Sequence, residues 1–338
     1  WIPDVAGTGF SAGVYKKGNE IVISYTGIND WRDWMNSFLA GGGYLTAPQI
    51  FPAMQLYLET KAANPGATIT FTGHSQGGGL ASLMAVFFGE RAVVFDEAPF
   101  EASAKDDAIL EDLNSRMQAL DLYSQAFLQY VAFRGSVLPA RERNVTNIYL
   151  DGDWLEALRT DGNTIAGQTI PVPLGQSTAG AVDRHAITLL TAFNYSAQFA
   201  AAVRKLPDFV SLLLNEGLYA ADRSDDPSKT DLLSQLLRHE FGDASTGLAA
   251  DGMLDGFAND ANQLTAGGLI KDASGLENAL ITTLLQGYDR LKDTTFTKDR
   301  EVFTEVPGGF YFDVTDIAPS FNQIRTASDS TTARQSYF

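Results

Sequence analysis

The sequence predicts an α/β fold: a mostly parallel sheet with an inserted helical cap, followed by a C-terminal, mainly helical region. Short β-rich runs alternate with helical patterns over residues 10–193, and such alternation favours parallel strands that are covered by helices on both faces. A length of 338 residues with 45% hydrophobic content is enough for roughly two domains with a sizeable core. We therefore predict an α/β-hydrolase type of core over residues 1–205, with its cap at about 101–143, and a helical region of unknown role over 206–338.

Individual elements follow from local patterns. Runs rich in β-branched and aromatic residues predict strands at 10–15, 20–25, 68–71, 92–95, 145–150 and 309–314. Helical spacing of apolar residues predicts helices at 50–58, 77–88, 101–129, 154–159 and 183–193. The Lys-Lys-Gly-Asn segment after Tyr15 predicts a hairpin between the first two strands, Gly89 ends the buried helix, and Asp183 is the expected N-cap of the last helix.

Charge and composition exclude several functions. The chain has 41 acidic and 24 basic residues and a formal charge of -17, and a field of that sign repels phosphate backbones and anionic lipids. Nucleic-acid binding is therefore not expected. The absence of cysteine removes thiolate nucleophiles, disulfides and cysteine metal sites. The longest apolar run, residues 80–88, is too short for a transmembrane segment. A cysteine-free acidic chain that begins at Trp1 suits a secreted bacterial protein, either processed or a fragment.

One motif indicates a serine nucleophile. Gly73-His74-Ser75-Gln76-Gly77 matches Gly-x-Ser-x-Gly, with a predicted strand before it and a predicted helix after it. In such a turn the serine has strained backbone angles, the flanking glycines let other segments pass closely, and the positive helix end faces charge that develops at the substrate. No Gly-Lys-Ser/Thr follows, which excludes a phosphate-binding P-loop. Ser75 is therefore the predicted nucleophile.

A serine nucleophile needs a general base, and the chain has three histidines. His185 follows the last predicted core strand, in the Ser…Asp…His chain order of α/β-hydrolases, and is the predicted base. His74 is adjacent to Ser75 and is expected to pack. His239 lies on a charged helical segment and is expected to be solvated or to stand at a helix end.

The acid that orients the base is expected after the strand that follows the cap. Asp153 is the preferred residue and Asp151 the alternative. Asp96, at the end of the strand after the nucleophile helix, is a third possibility. Asp183 is too close to His185 in the sequence for an easy carboxylate–imidazole contact.

Two segments resemble a known family. Residues 21–28, followed by Asp30-Trp31-Arg32-Asp33-Trp34, are similar to the strand, turn and Asp-Trp segment of class 3 lipases, the filamentous-fungal type, and residues 73–79 match their serine motif. The resemblance covers roughly residues 15–193. It implies Ser75 as nucleophile, backbone amides of Ile28 and Gln76 as oxyanion hole, Asp153 as acid and His185 as base.

The resemblance implies a serine ester hydrolase that acts on apolar acyl esters through an acyl-enzyme. It further implies transient contact with a lipid interface, and no cofactor or metal. Two departures matter. Thr26-Gly27-Ile28 replaces the family's Arg-Gly-Ser/Thr and removes a side-chain hydroxyl, and Trp154-Leu155 replaces Val-Pro, which leaves Asp151 and Asp153 both open. The alternatives are an acyltransferase or amidase with the same triad, or an idle lipid-binding module of a larger secreted protein.

Two glycine-rich segments complete the sequence interpretation. Residues 38–44 place apolar side chains beside three glycines, which is typical either of a mobile lid or of a plain flexible loop. Residues 308–313 contain one incomplete calcium-repeat pattern, and a single copy cannot stack.

Overall fold

The computed structural model of the chain describes residues 10–26, 45, 47–156, 167–175, 177–206, 209–214, 233–234, 237, 254–255, 258, 303–306 and 309–312. The chain divides after Val172 into two compact units, Trp1–Val172 and Pro173–Phe338. The predicted boundary at 205/206 between core and helical region stays a prediction.

The first unit contains a six-stranded sheet whose strands lie side by side in chain order. They are β1 Ala12–Lys17, β2 Glu20–Tyr25, β3 Thr68–His74, β4 Arg91–Phe95, β5 Val145–Leu150 and β6 Gln168–Val172. β1 pairs antiparallel with β2, and every other pair is parallel. The α/β class with a mostly parallel sheet is confirmed, and so is the hairpin, in which Gly18 has φ 61°.

Strand β6 was not predicted. Its sequence, Gln-Thr-Ile-Pro-Val, is short and contains a proline, and most of it is exposed. Since β6 is the last strand in the order, Pro171 sits on an edge strand, where a missing N–H donor is tolerated.

The register brings the carboxyl ends of the parallel strands to one edge of the sheet. Tyr25 pairs with Gly73, and Phe95 pairs with both His74 and Ile148. Leu150 pairs with Val172. In open parallel sheets this edge is where ligands bind, and each segment that carries a predicted site residue of the first unit leaves the sheet there.

Five helices complete the described part of the first unit: α1 Ala47–Ala63, α2 Gln76–Phe88, α3 Glu101–Lys105, α4 Asp107–Ala119 and α5 Gln125–Glu142. Every residue of α2 is buried, and the helix ends at Gly89, which adopts the left-handed conformation with φ 75°. The short helix predicted from Trp154 onward is described only as far as Glu156.

The predicted helical insertion is present as α3, α4 and α5, which connect β4 to β5. These helices belong to the same hydrophobic core as α2. Phe87 of α2 has its ring centroid 5.2 Å from Phe127 and 5.0 Å from Tyr130 of α5. The helical spacing of Ile109, Leu113, Met117 and Leu120 predicts one buried face; Leu113 and Met117 of α4 are buried, whereas Leu120, which follows the end of α4, is exposed. The insertion therefore stabilises helix α2 through its packing.

The described part of the second unit contains α6 Ala181–Arg184, α7 Ile187–Tyr195, α8 Ala197–Lys205, α9 Phe209–Leu213 and an antiparallel hairpin of β7 Phe303–Val306 and β8 Gly309–Phe312. The single helix predicted from Asp183 is wrong. The chain forms two helices, whose N-caps are Gly180 and Ala186. Arg184 fixes the first one, because its guanidinium donates to the carbonyls of Ala179 at 2.8 Å and Ser177 at 3.1 Å.

None of the described helices combines the length and the apolar character needed to cross a membrane.

Candidate active site

Ser75 occupies a strained turn between β3 and α2. Its backbone angles are φ 56° and ψ -125°, a conformation that costs a non-glycine residue about 1–3 kcal/mol and persists only where the surroundings enforce it. Its N–H donates to the carbonyl of Phe95 at 3.0 Å, and its carbonyl accepts from the N–H groups of Gly79 at 3.0 Å and Ala98 at 2.9 Å. The predicted strand–turn–helix unit is confirmed.

The hydroxyl of Ser75 is not used to cap α2. Ser75 is the N-cap residue, yet its side chain makes no capping hydrogen bond, whereas an N-cap serine usually accepts from a backbone N–H of the first turn. The side chain thus lies at the positive end of the helix dipole but does not cap the helix. Negative charge that develops near this hydroxyl is favoured by the same dipole.

The motif glycines are required by close backbone approaches. A Cβ atom on Gly73 would lie 2.3 Å from the carbonyl carbon of Gly77, and one on Gly77 would lie 2.2 Å from the carbonyl oxygen of Tyr25. Real Cβ contacts are not that short, so no side chain fits at either position. The end of β2 therefore lies directly beside the first turn of α2.

Of the two residues whose amides are expected to form an oxyanion hole, Gln76 lies among the described residues and Ile28 does not. Gln76 is the first residue of α2, and its buried side chain donates to Oε1 of Gln49 at 2.9 Å. Ile28 lies outside the described residues, as do the Asp-Trp segment and residues 38–44. Thr26 is described: its N–H and its hydroxyl both donate to the carbonyl of Ser11, at 3.1 and 2.9 Å. The chain that leads to Ile28 is thus fastened where it leaves the sheet beside α2.

Asp96 is fully buried at the carboxyl end of β4, with φ 43°. Its Oδ1 accepts from the N–H of Leu150 at 3.1 Å. Its Oδ2 lies 3.8 Å from Nε2 of His74, within ion-pair distance if the imidazole is protonated. His74 was expected only to pack, but its imidazole also faces the buried carboxylate of Asp96.

The other two candidate acids follow β5 and differ in exposure. Asp153 is 3% exposed, and Asp151 is exposed. The N–H of Asp153 donates to Leu150 at 2.9 Å, which folds the chain back over the end of the strand, and the N–H of Asp151 donates to Val172 at 3.0 Å. All three candidate acids thus lie at the edge that also carries Ser75, and two of them are buried.

His185 lies in the second unit, as the C-cap residue of α6. It is 9% exposed, and its N–H donates to the carbonyl of Val182 at 3.0 Å. His239 lies outside the described residues.

Sequence reasoning missed Glu97, which follows Asp96 and is only 3% exposed. Ser82 of α2 donates its hydroxyl to Oε2 of Glu97 at 2.5 Å, and the N–H of Glu97 donates to Oδ1 of Asn147 at 3.4 Å. The only signal in the sequence was an acidic pair directly after an apolar strand, a pattern that solvated turns share.

Comparisons with known proteins point to one class of enzyme. Residues 3–201 match the phospholipase-like family model described as a Tle-like phospholipase domain. The extracellular phospholipase A1 of Serratia liquefaciens is 40% identical over 93 residues, which are 28% of this chain and 28% of that relative. A solved structure of a protein of unknown function from Staphylococcus aureus subsp. aureus Mu50 is 16% identical and covers 48% of this chain and 71% of that one, with a TM-score of 0.25. A likeness that weak carries no argument.

Proposed function

The chain belongs to the phospholipase-like family with a Tle-like phospholipase domain, and from this premise we propose that it hydrolyses carboxylic esters of phospholipids with Ser75 as the nucleophile. The observation that carries the proposal is the enforced backbone conformation of Ser75 at the start of a buried helix. A residue held at φ 56° by three backbone hydrogen bonds, with a hydroxyl not used for capping, suits a nucleophile better than a structural serine.

The proposed reaction has two steps. In the first, His185 removes the proton of the Ser75 hydroxyl, Oγ attacks the ester carbonyl carbon, and the resulting oxyanion accepts hydrogen bonds from the amides of Gln76 and Ile28. The C–O bond to the alcohol then breaks, and the alcohol leaves with the proton that the imidazolium returns. In the second step, water deprotonated by the same base attacks the acyl-enzyme, which releases the fatty acid and restores Ser75.

Asp153 is the proposed acid that orients His185, with Asp96 and Asp151 as alternatives. Burial favours Asp153 and Asp96, because a carboxylate away from water interacts more strongly with an imidazolium than an exposed one does. The exposed carboxylate of Asp151 is screened by solvent and salt. Position after β5 favours Asp153 and Asp151 over Asp96, and the resemblance to class 3 lipases implies Asp153; membership of that subgroup stays a prediction.

The substrate is proposed from the family and from the relative's description as a phospholipase A1. Since that match spans 28% of the relative's length, the ester position and the acyl chain are left to experiment. Secretion is proposed on the same ground, because that relative is described as extracellular.

A single set of measurements tests the proposal. Phosphatidylcholine vesicles with distinguishable acyl chains at the two glycerol positions are incubated with the full chain, and released fatty acids are identified by mass spectrometry. Ser75→Ala should lower release by on the order of 10⁴-fold or more without unfolding the protein. A fluorophosphonate should label wild-type protein at Ser75 and nowhere else. Undiminished release by folded Ser75→Ala would overturn the proposal.

The same assay ranks the acids. Asp153→Asn should reduce turnover by roughly 10²- to 10⁴-fold, because an amide cannot stabilise the imidazolium. Asp151→Asn should have little effect. If Asp153→Asn is harmless and Asp96→Asn is inactive, the role belongs to Asp96.

A further inference from the structure

We propose that Glu97 is a positioning residue for the nucleophile: its buried carboxyl group fastens residues 96–98 to helix α2 and thereby holds Ser75 in its strained conformation. This inference rests on the proposed role of Ser75. Glu97 itself is not proposed to touch substrate.

The fastening is a hydrogen bond between two buried side chains. Ser82 is fully buried, Glu97 is 3% exposed, and the hydroxyl of Ser82 donates to Oε2 of Glu97 at 2.5 Å. A carboxyl group buried in this way loses its hydration, so its retention needs compensating hydrogen bonds. An apolar side chain of similar volume would fill the same space without that cost. The carboxyl group is therefore better explained by what it holds in place than by packing.

Helix α2 presents a face of small residues to this segment. Gly78 and Gly79 lie four and three residues before Ser82, so each of them shares a side of the helix with Ser82. A Cβ atom on Gly78 would lie 3.1 Å from Cα of Glu97, and one on Gly79 would lie 2.8 Å from the carbonyl oxygen of Ala98. The backbone of residues 97–98 thus lies directly against α2, and the Ser82–Glu97 hydrogen bond closes this contact one turn further along the helix.

What the contact holds is the backbone of the nucleophile. The residue before the Asp96-Glu97 pair, Phe95, accepts from the N–H of Ser75 at 3.0 Å, and the residue after it, Ala98, donates to the carbonyl of Ser75 at 2.9 Å. Both polar backbone groups of Ser75 are therefore bonded to residues that flank Glu97. If residues 96–98 shift, the turn that aims the Ser75 hydroxyl loses these bonds together.

A second anchor reaches the neighbouring strand. The N–H of Glu97 donates to Oδ1 of Asn147 at 3.4 Å, and Asn147 is fully buried on β5. Glu97 therefore connects the nucleophile helix, the end of β4 and β5. Its effect on the reaction should appear in the rate of the chemical step and not in substrate affinity, because substrate does not touch it.

The test compares four single variants and one double variant, all full-length, at a temperature where all are folded. Glu97→Ala removes the carboxyl group, Glu97→Gln keeps an acceptor oxygen for Ser82, and Ser82→Ala removes the donor. Met117→Ala is the matched control, since Met117 is buried to the same 3% and packs in the core that includes α2, but lies on α4. For each variant, thermal unfolding, the rate of fluorophosphonate labelling at Ser75, and kcat and KM on a short soluble ester are measured.

Glu97→Ala should lose about 20-fold or more in kcat and in labelling rate with KM within about twofold, because a displaced reacting group slows the chemical step. Glu97→Gln should stay within about threefold of wild type, and Ser82→Ala should lose roughly fivefold. The double variant Glu97→Ala/Ser82→Ala should be no slower than Glu97→Ala alone, since both remove one contact. Met117→Ala should lose stability but keep its rates within about twofold.

Three results would overturn the inference. One is a Glu97→Ala protein whose rates match those of Met117→Ala, which would make Glu97 merely structural. Another is a loss that appears only in KM. If Glu97→Ala does not fold, a folded Ser82→Ala variant with wild-type rates overturns the inference by itself. Failure of wild-type protein to label at Ser75 would instead overturn the proposed function, and this inference with it.

Discussion

Gly77→Ala should strongly reduce activity through the backbone alone, because the new methyl group has no room. Its Cβ atom would lie 2.2 Å from the carbonyl oxygen of Tyr25 and 2.8 Å from the carbonyl carbon of Thr26. Ordinary contacts between such atoms are at least about 3.2 Å, so the start of α2 and the end of β2 must separate by about 1 Å. Neither contact is with a flexible side chain, so only backbone movement can relieve it.

The separation has two measurable effects. Forcing a methyl group into a filled site costs about 1–3 kcal/mol, which for a domain of this size lowers the melting temperature by roughly 2–12 °C. A displacement of about 1 Å between the turn at Ser75 and the end of β2, which leads to Ile28, should also lower kcat by on the order of 10²-fold if these segments carry the proposed nucleophile and oxyanion hole. Calorimetry and hydrolysis of a soluble ester, measured below the melting transition, separate the two effects.

Gly135→Ala is the matched control. Gly135 is exposed on α5, and a Cβ atom there would meet nothing within 4 Å. The same substitution should therefore leave activity unchanged and stabilise the helix by about 0.5–1 kcal/mol. A Gly77→Ala protein with wild-type activity and melting temperature would refute the reasoning, since it would mean that the two segments are not in contact.

Three further predictions concern the base, alkaline pH and charge. His185→Ala should be nearly as damaging as loss of the nucleophile, whereas His239→Ala should keep turnover within about threefold; the reverse ranking would move the base into the C-terminal region. Burial raises the pKa of three tyrosines, so the folded state keeps their protons above pH 10 while the unfolded state releases them. The urea concentration at the midpoint of unfolding should therefore fall as pH rises from about 9 to 11.5. An unchanged midpoint would contradict this. The tyrosines are Tyr25, Tyr57 and Tyr130. Hydrolysis of strongly anionic vesicles should be slower than that of zwitterionic ones, and added salt should reduce the difference, because the charge of -17 is screened over roughly 8 Å at physiological salt; a preference independent of salt would exclude this explanation.

Features set by neighbouring residues could be predicted from the sequence. The turn at Ser75 follows from the flanking glycines, the β-branched run before it and the apolar helix after it, all within about 20 residues. The end of α2 follows from Gly89, whose left-handed conformation other residues rarely adopt. In both cases the backbone conformation that the residues require excludes most other local structures.

Features that depend on tertiary contacts could not be predicted. Strand β6 is short and contains Pro171, which argues against a strand when only the sequence is considered, and its pairing with β5 decides its conformation. The N-cap expected at Asp183 is wrong: the N-cap is Gly180, a residue type that N-caps accept, and Asp183 lies within the helix. The contacts of Asp96 with Leu150 and of Glu97 with Ser82 join residues 54 and 15 positions apart, which no local pattern encodes.

The sheet places its six strands in the order in which they are synthesised. No strand has to be inserted between two that are already paired, so the sheet can grow from its amino-terminal hairpin by adding one strand at a time. The backbone hydrogen bonds that hold Ser75 in its turn go to Phe95, Gly79 and Ala98, all of which precede the helical insertion. The strained Ser75 turn can therefore form before His185, the residue proposed as its base, has been synthesised.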